Sequence, residues 1–271
     1  MWDVQRPTWE GYAVPRAALR AARGTILAMG AIVPAILVKT RKELEEKLTR
    51  LSGLVDSVQI DVVDGALGGA PTWPYTDERC THECTELISG GEMLAGSDRF
   101  RLEADLMVAE PEKAADAWIA LGASRVTIHA KSVQDLPAVF TRLSARFGHE
   151  KGFAPDMLAF GVALGAGEDF SVLEPVLGQV DYVQLMGIRH IGVQGEPFDE
   201  RVIETVRALH AKHPDVLIQV DGGVSLANAP KLLAAGASQL VIGSAIWHST
   251  DVPARIHELQ ELALRYGMYN R

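Results

Sequence analysis

The chain has 271 residues, 48% hydrophobic and 23% charged, with 25 Gly and 13 Pro; this ordinary globular composition excludes disordered and collagen-like chains. Lys and Arg total 26 against 35 Asp and Glu, a net charge of −9, so neither a polybasic nucleic-acid binder nor a membrane-surface protein is expected, and an anionic ligand would need a local site built for it. Two Cys cannot make a disulfide scaffold and point to a reducing cytoplasm, and no apolar stretch approaches the roughly 18 residues of a membrane span.

Residues 1–30 stand apart as an extension or surface arm. No clean apolar run follows Arg6, so a secretory signal is not expected. Pro15 followed by ArgAlaAlaLeuArgAlaAlaArg predicts a short helix with Pro near its first turn. Positive residues with few acids faintly resemble a transit peptide, but Ser is absent from this stretch, and a packed arm is the plainer reading. Met29, just before the first strand, is an alternative start.

From residue 31 to 271 the pattern alternates. Ala31–Leu37 is an apolar first strand. Thr40 with Glu43 makes a capping box for a helix through Leu51. Asp56–Val62 is the second strand, followed by a Gly- and Pro-bearing loop from Asp64 to Asp77 and a helix to Leu94. Arg101–Met107 is the third strand; Pro111 opens a helix that stops at Gly122. Ser124–His129, Met157–Leu164, Asp181–Met186, Val216–Val220 and Ser238–Ile242 read as strands four to eight. Helices are expected over 133–147, 171–177, 198–212, 226–235 and 253–266. Short, near-continuously apolar strands suit a parallel sheet buried on both faces. Eight evenly spaced β-α units predict a closed (β/α)8 barrel, a TIM barrel, over an open doubly wound sheet.

In such a barrel the chemistry sits at the carboxyl ends of the strands. Strand two brings Gln59, Asp61 and Asp64; strand three Glu103 and Asp105; strand four His129; strand six Met186, followed by Arg189 and His190; strand seven Asp221; strand eight Gly243 and Ser244. Alternation puts Gln59 with Asp61 on one face, and Glu103 with Asp105. Buried acids are costly unless paired or metal-bound. One alone is readily structural, satisfied by Lys, Arg or backbone donors. Asp61, Asp105 and Asp221 converging from three strands point instead to raised pKa values or to a recruited cation. Gly222 and Gly223 after strand seven, and Gly243 with Ser244 after strand eight, lie where these barrels cradle phosphate on backbone N–H groups.

The stretches IVPAIL, VQIDVVDG, LEADLMVAEP, VTIHA, VQLMGI, IQVDGGV and VIGSAIW follow one another over about residues 31–250, and in this the chain resembles ribulose-phosphate 3-epimerases. The resemblance implies a ribulose-phosphate-binding barrel and a metal-assisted proton transfer at the carbon beside a ketone. It implies Asp61 and Asp221 as opposed acid and base, and phosphate on Gly222, Gly223, Gly243 and Ser244 with a loop over Gly192–Gly195 closing above. Met107, Met186 and His129 are expected to line the pocket. It also implies a phosphorylated ketose such as ribulose 5-phosphate or xylulose 5-phosphate, a homo-oligomer and a cytoplasmic setting.

Departures accompany these matches. The family has His, as metal ligands, where this chain has Gln59 and Asp105; its Ser is Ala35, its Asn after strand five is Gly165, and its Asn-Pro-Gly-Phe-Gly-Gly lid is replaced by Ile188–Gly195. One explanation is a re-tuned site in which Gln59, Asp61, Asp105 and Asp221 offer oxygen ligands, which suit Mg or Mn better than Zn. The other is a catalytically altered barrel that binds a phosphorylated ligand, with Arg189 and His190 selecting a different one. Lys131, just past strand four, is the nearest Lys, and no Lys ends another strand, which argues against Schiff-base chemistry. Cys80, His82 and Cys84 have metal-ligand character, but Cys at i and i+4 also suits one packed helix face. Trp73, Pro74 and Tyr75 are expected in a lid or an oligomer contact.

Overall fold

A computed structural model describes residues 31–193 and 195–267. Its sheet is a closed barrel of eight parallel strands in sequence order: β1 (Ile32–Ile36), β2 (Ser57–Val63), β3 (Arg101–Met107), β4 (Arg125–His129), β5 (Ala159–Leu164), β6 (Tyr182–Met186), β7 (Leu217–Asp221) and β8 (Gln239–Ile242). β8 closes the ring on β1 through Val33 and Val241. Around it run α1 (Arg41–Leu51), α2 (Glu78–Ser89), α3 (Pro111–Ala120), α4 (Leu136–Phe147), α5 (Arg201–Lys212), α6 (Ala229–Ala235), α7 (Ser244–Trp247) and α8 (Val252–Gly267). The open-sheet alternative is therefore set aside. The expected arm at 1–30 and its helix lie outside the described residues.

The strands read as apolar because their outward face is buried under helices. Val58, Ile60 and Val62 of β2, with Leu102, Ala104 and Leu106 of β3, are all at most 1% exposed and join the main core. Their inward neighbours are polar, which positions the site described below. Helix starts follow local chemistry. The Thr40 hydroxyl accepts from the Glu43 N–H, while Glu43 reaches back to the Lys39 N–H, one residue outside the expected box. Asp77 caps α2 and Asp135 caps α4 by the same means.

Several expectations are corrected. Between β5 and β6 only a 3₁₀ turn forms, over Phe170–Leu173, because Pro175 has no N–H to continue a helix. The α2 sequence leaves Cys80, Cys84 and Leu87 buried along one stripe, whereas His82 is 73% exposed and pairs with Glu86. The three therefore share no ligand sphere; helical periodicity, not metal ligation, explains the cysteines. Trp73 is 1% exposed, stands edge-on to Trp118 at 5.8 Å and donates from its ring nitrogen to Glu83. Pro74 is buried and Tyr75 half-buried. Trp73 and Pro74 therefore plug the β2–α2 loop into the core and do not form a lid. Among the described residues no helix is long and apolar enough to cross a membrane.

Candidate active site at the mouth of the barrel

Alternation along the strands sends one polar set inward, in two levels. Parallel register places Gln59 beside Glu103 and Asp61 beside Asp105, Glu103 beside Arg125, and Gln184 beside Gln219. At the deeper level, Glu103 Oε2 accepts from Arg125 Nε at 2.9 Å. Its Oε1 accepts from Thr127 at 2.7 Å and from Gln219 Nε2 at 2.8 Å. The Arg125 guanidinium also lies over the Tyr182 ring, 3.8 Å from its centroid. Glu103 is thus the acid that follows the structural explanation. Arg125, Thr127, Tyr182 and Gln219 were not singled out in the sequence, although Gln219 shares the alternating face of Asp221.

The level above is different. Asp61, Asp105 and Asp221 are 8%, 0% and 8% exposed, and one carboxylate oxygen from each lies within 4.8 Å of the others. No Lys or Arg is bonded to them among the interactions described. Gln59 Nε2 donates to Asp61 Oδ1 at 2.9 Å and to Asp221 Oδ2 at 3.0 Å. The expected oxygen ligand therefore turns its nitrogen toward the acids, and its Oε1 accepts from Gln219 instead. Asp105 Oδ1 is 3.0 Å from His129 Nε2, while its buried Oδ2 has no partner. Burial, then repulsion from Asp105, pushes the Asp61 carboxyl up to about 7. Burial, then the charges of Asp61 and Asp105, pushes Asp221 well above the usual carboxylate range. A divalent cation fits this arrangement: three hard oxygen donors converge, one buried oxygen lacks a partner, and no Lys or Arg is bonded to the cluster among the interactions described.

Asp61 and Asp221 open into a cleft whose wall includes Met107, Met186, Gly195, Gly222, Gly223, Gly243 and Ser244. Gly222 and Gly223 have φ of 99° and 67°, backbone that glycine adopts without strain. His129 is not on this wall; at 1% exposed it backs Asp105. Asp64 is a loop staple, accepting from the N–H groups of Ala66 and Ala109.

Over the cleft, Ile188 and Ile191 pack on Val63, Met107 and Met186. The loop is keyed to the one after β2: a Cβ on Gly69 would stand 2.5 Å from the Gly192 carbonyl oxygen. Arg189 and His190 do not face the cleft. Arg189 binds Asp199 at 3.2 Å, a carboxylate also gripped by Arg201 and held well below its usual pKa by that pair. His190 Nδ1 is 3.0 Å from Glu196, and it is Glu196 that reaches the wall, along with Ala35 and Leu37. Sequence reading missed this acid because ion pairs within a loop have no periodic signature.

Comparison with known proteins agrees with this architecture. The chain is 26% identical over 227 residues to a ribulose-phosphate 3-epimerase of Aquifex aeolicus, covering 81% of this chain and 90% of the relative. It is 25% identical over 242 residues to a ribulose-phosphate 3-epimerase of Escherichia coli K12, covering 86% and 96%. A solved 3-hexulose-6-phosphate synthase superposes with a TM-score of 0.59 at 18% identity, over 86% of this chain and 99% of that one, which speaks to the fold alone. The sequence profile of the ribulose-phosphate 3 epimerase family matches residues 87–247, more than half of the chain. The chain belongs to the ribulose-phosphate 3-epimerase family.

Proposed function

We propose that this protein is a sugar-phosphate epimerase that inverts C3 of a phosphorylated ketose, ribulose 5-phosphate and xylulose 5-phosphate or a related pair, using Asp61 and Asp221 as opposed acid and base. The observation that carries this reading is the cluster of Asp61, Asp105 and Asp221, whose oxygens lie within 4.8 Å of one another and whose bonded partners are Gln59 and His129, with no Lys or Arg among the interactions described. A proton transfer next to a ketone needs one carboxyl holding a proton and one free to accept it. Burial of two interacting acids favours that mixed state near neutrality. One Asp removes the C3 proton from one face of the sugar; the other delivers a proton to the opposite face, and the roles reverse for the reverse reaction. Such positioned groups typically contribute ~10²–10⁴-fold each. Asp61, Asp105 and Asp221 would hold a divalent cation, with Mg or Mn favoured over Zn by the oxygen donors. When bound, that cation supplies electrophilic stabilisation of negative charge on the carbonyl oxygen, worth several kcal/mol.

The cleft wall includes no Lys or Arg among the described residues. Phosphate recognition is therefore assigned to the backbone N–H groups at Gly222, Gly223, Gly243, Ser244 and Gly195. Met107 and Met186 supply the apolar floor and His129 steadies Asp105 from behind. A homo-oligomer and a cytoplasmic location belong to the same reading through the family resemblance. A second reading, a barrel that binds a phosphosugar without turnover, is favoured by one observation: Gln59 offers the acids an N–H donor where a metal ligand was expected.

Incubation with Mg or Mn and a panel of ketopentose phosphates in deuterated water separates the two. Epimerisation places deuterium at C3, detected by NMR, and Asp61→Asn abolishes it while the fold is kept. Absence of label with every sugar, combined with a rise in Tm on phosphosugar addition, supports the binding reading instead.

A further inference from the structure

The two amides beneath the acids have an orientation dictated by their neighbours. Arg125 is a donor only, and an ionised carboxylate an acceptor only. Gln219 lies between the two kinds. Its Oε1 accepts from Arg125 Nη2 at 3.1 Å, and its Nε2 donates to Glu103 Oε1 at 2.8 Å and to Gln184 Oε1 at 2.7 Å. Reversing this amide would set oxygen against carboxylate and nitrogen against guanidinium. The same Nε2 stands 3.2 Å from Gln59 Oε1, so its two hydrogens are shared among three oxygens, with the longest leg going to Gln59. Gln59 is in turn left with its nitrogen facing upward, at 2.9 and 3.0 Å from Asp61 and Asp221. Gln59, Gln219 and Gln184 are at most 1% exposed, so no solvent can substitute for a wrong partner.

We propose that Gln59 and Gln219 are positioning residues: a hydrogen-bond chain of set direction runs from the Arg125–Glu103 pair through both amides and aims one N–H of Gln59 at each of the two acids. The chain spans β4, β3, β7 and β2, and so ties the separation of Asp61 and Asp221 to a rigid ion pair two layers below the substrate. Gln59 contacts both acids in the same way, one hydrogen each, so it holds them without deciding which carries the proton. Neither amide touches the cleft wall. Their effect therefore falls on the rate of proton transfer and not on sugar binding. The kinetic consequence rests on the epimerase reading; the direction of the chain does not.

Two measurements test it separately. Neutron diffraction from deuterium-exchanged crystals of the whole protein distinguishes an amide ND₂ from an oxygen. The nitrogen of Gln59 between Asp61 and Asp221 is the expected result; an oxygen there overturns the proposal whether or not the protein is an epimerase. In C3 deuterium exchange, Gln219→Glu puts an acceptor where the chain needs a donor. A fall in kcat of at least tenfold with KM within twofold is expected, and no further loss when it is combined with Gln59→Leu beyond Gln59→Leu alone. A kcat within twofold of wild type, a matching rise in KM, or additive losses overturns the proposal. If Gln219→Glu does not fold, Gln219→Met replaces it with the same expected and contradicting outcomes.

Discussion

The two polar levels inside the barrel share the strands β2, β3, β4 and β7 and end in opposite electrostatic states. At the deeper level Glu103 has Arg125, Thr127 and Gln219 as partners, and its charge is matched by one buried guanidinium. One level up, three acids share one Gln amide and one His, and one oxygen has nothing. The same burial is inexpensive below and costly above. A cluster of buried acids bonded to no Lys or Arg beside a cleft is the better candidate for chemistry, whereas a fully hydrogen-bonded ion pair serves the fold.

Exchanging the two behaviours by mutation gives the largest effects. Asp221→Asn should reduce C3 proton exchange by about 10²–10⁴-fold while leaving Tm equal or higher, since it removes a buried carboxyl crowded by Asp61 and Asp105 and bonded to no Lys or Arg among the interactions described; lost folding with retained exchange in the surviving fraction would reverse the assignment. Arg125→Met should do the opposite, leaving Glu103 unpaired and costing about 3–5 kcal/mol, read by urea denaturation. A loss below about 1 kcal/mol would mean that the deeper level is not a satisfied ion pair at all.

The pH dependence sharpens the same contrast. The Asp61 carboxyl rises from 3.8 to about 7 on folding, so between those values the folded chain binds the proton more tightly than the unfolded one. Stability therefore falls as pH rises across that window and flattens above it, and Asp221, raised in the same sense, extends the fall upward. Tm should be lower near pH 8 than near pH 5, Mn should restore it at the higher pH, and Asp61→Asn should flatten the profile. A Tm that climbs steadily from pH 5 to 8 would contradict the raised values. The smallest effect belongs to the surface: Glu112→Gln, which breaks a pair with Arg142 spanning α3 and α4, should cost under about 1 kcal/mol and leave exchange untouched.

What was legible in the sequence is what periodicity and turn chemistry encode. Short, near-continuously apolar strands, with Pro111 at a helix start and Gly after helices, led to eight units in the observed order. The acids at 61, 105 and 221 stood out because charge inside an apolar strand has no cheap explanation. The helix expected at 171–177 failed because Pro175 was outweighed by its apolar neighbours. The Trp73 group reads locally as a lid or an oligomer contact, since nothing nearby in sequence reveals that Trp118 stands edge-on to it. The polarity of Gln59 was unreadable for a deeper reason. An amide carries donor and acceptor on one carbon, and which one faces the acids is decided by Arg125, 66 positions along the chain and in contact only after the barrel closes.

The central claim is that the upper level is an uncompensated three-carboxylate seat for a cation. Calorimetric titration of Mn into the protein, repeated in buffers of different ionisation enthalpy, reads affinity and proton release together. One site, with protons expelled near pH 6 and fewer expelled as pH rises toward 9, and with binding lost in Asp105→Asn, is the predicted result. Absence of binding, or binding that releases no proton at any pH, would contradict it.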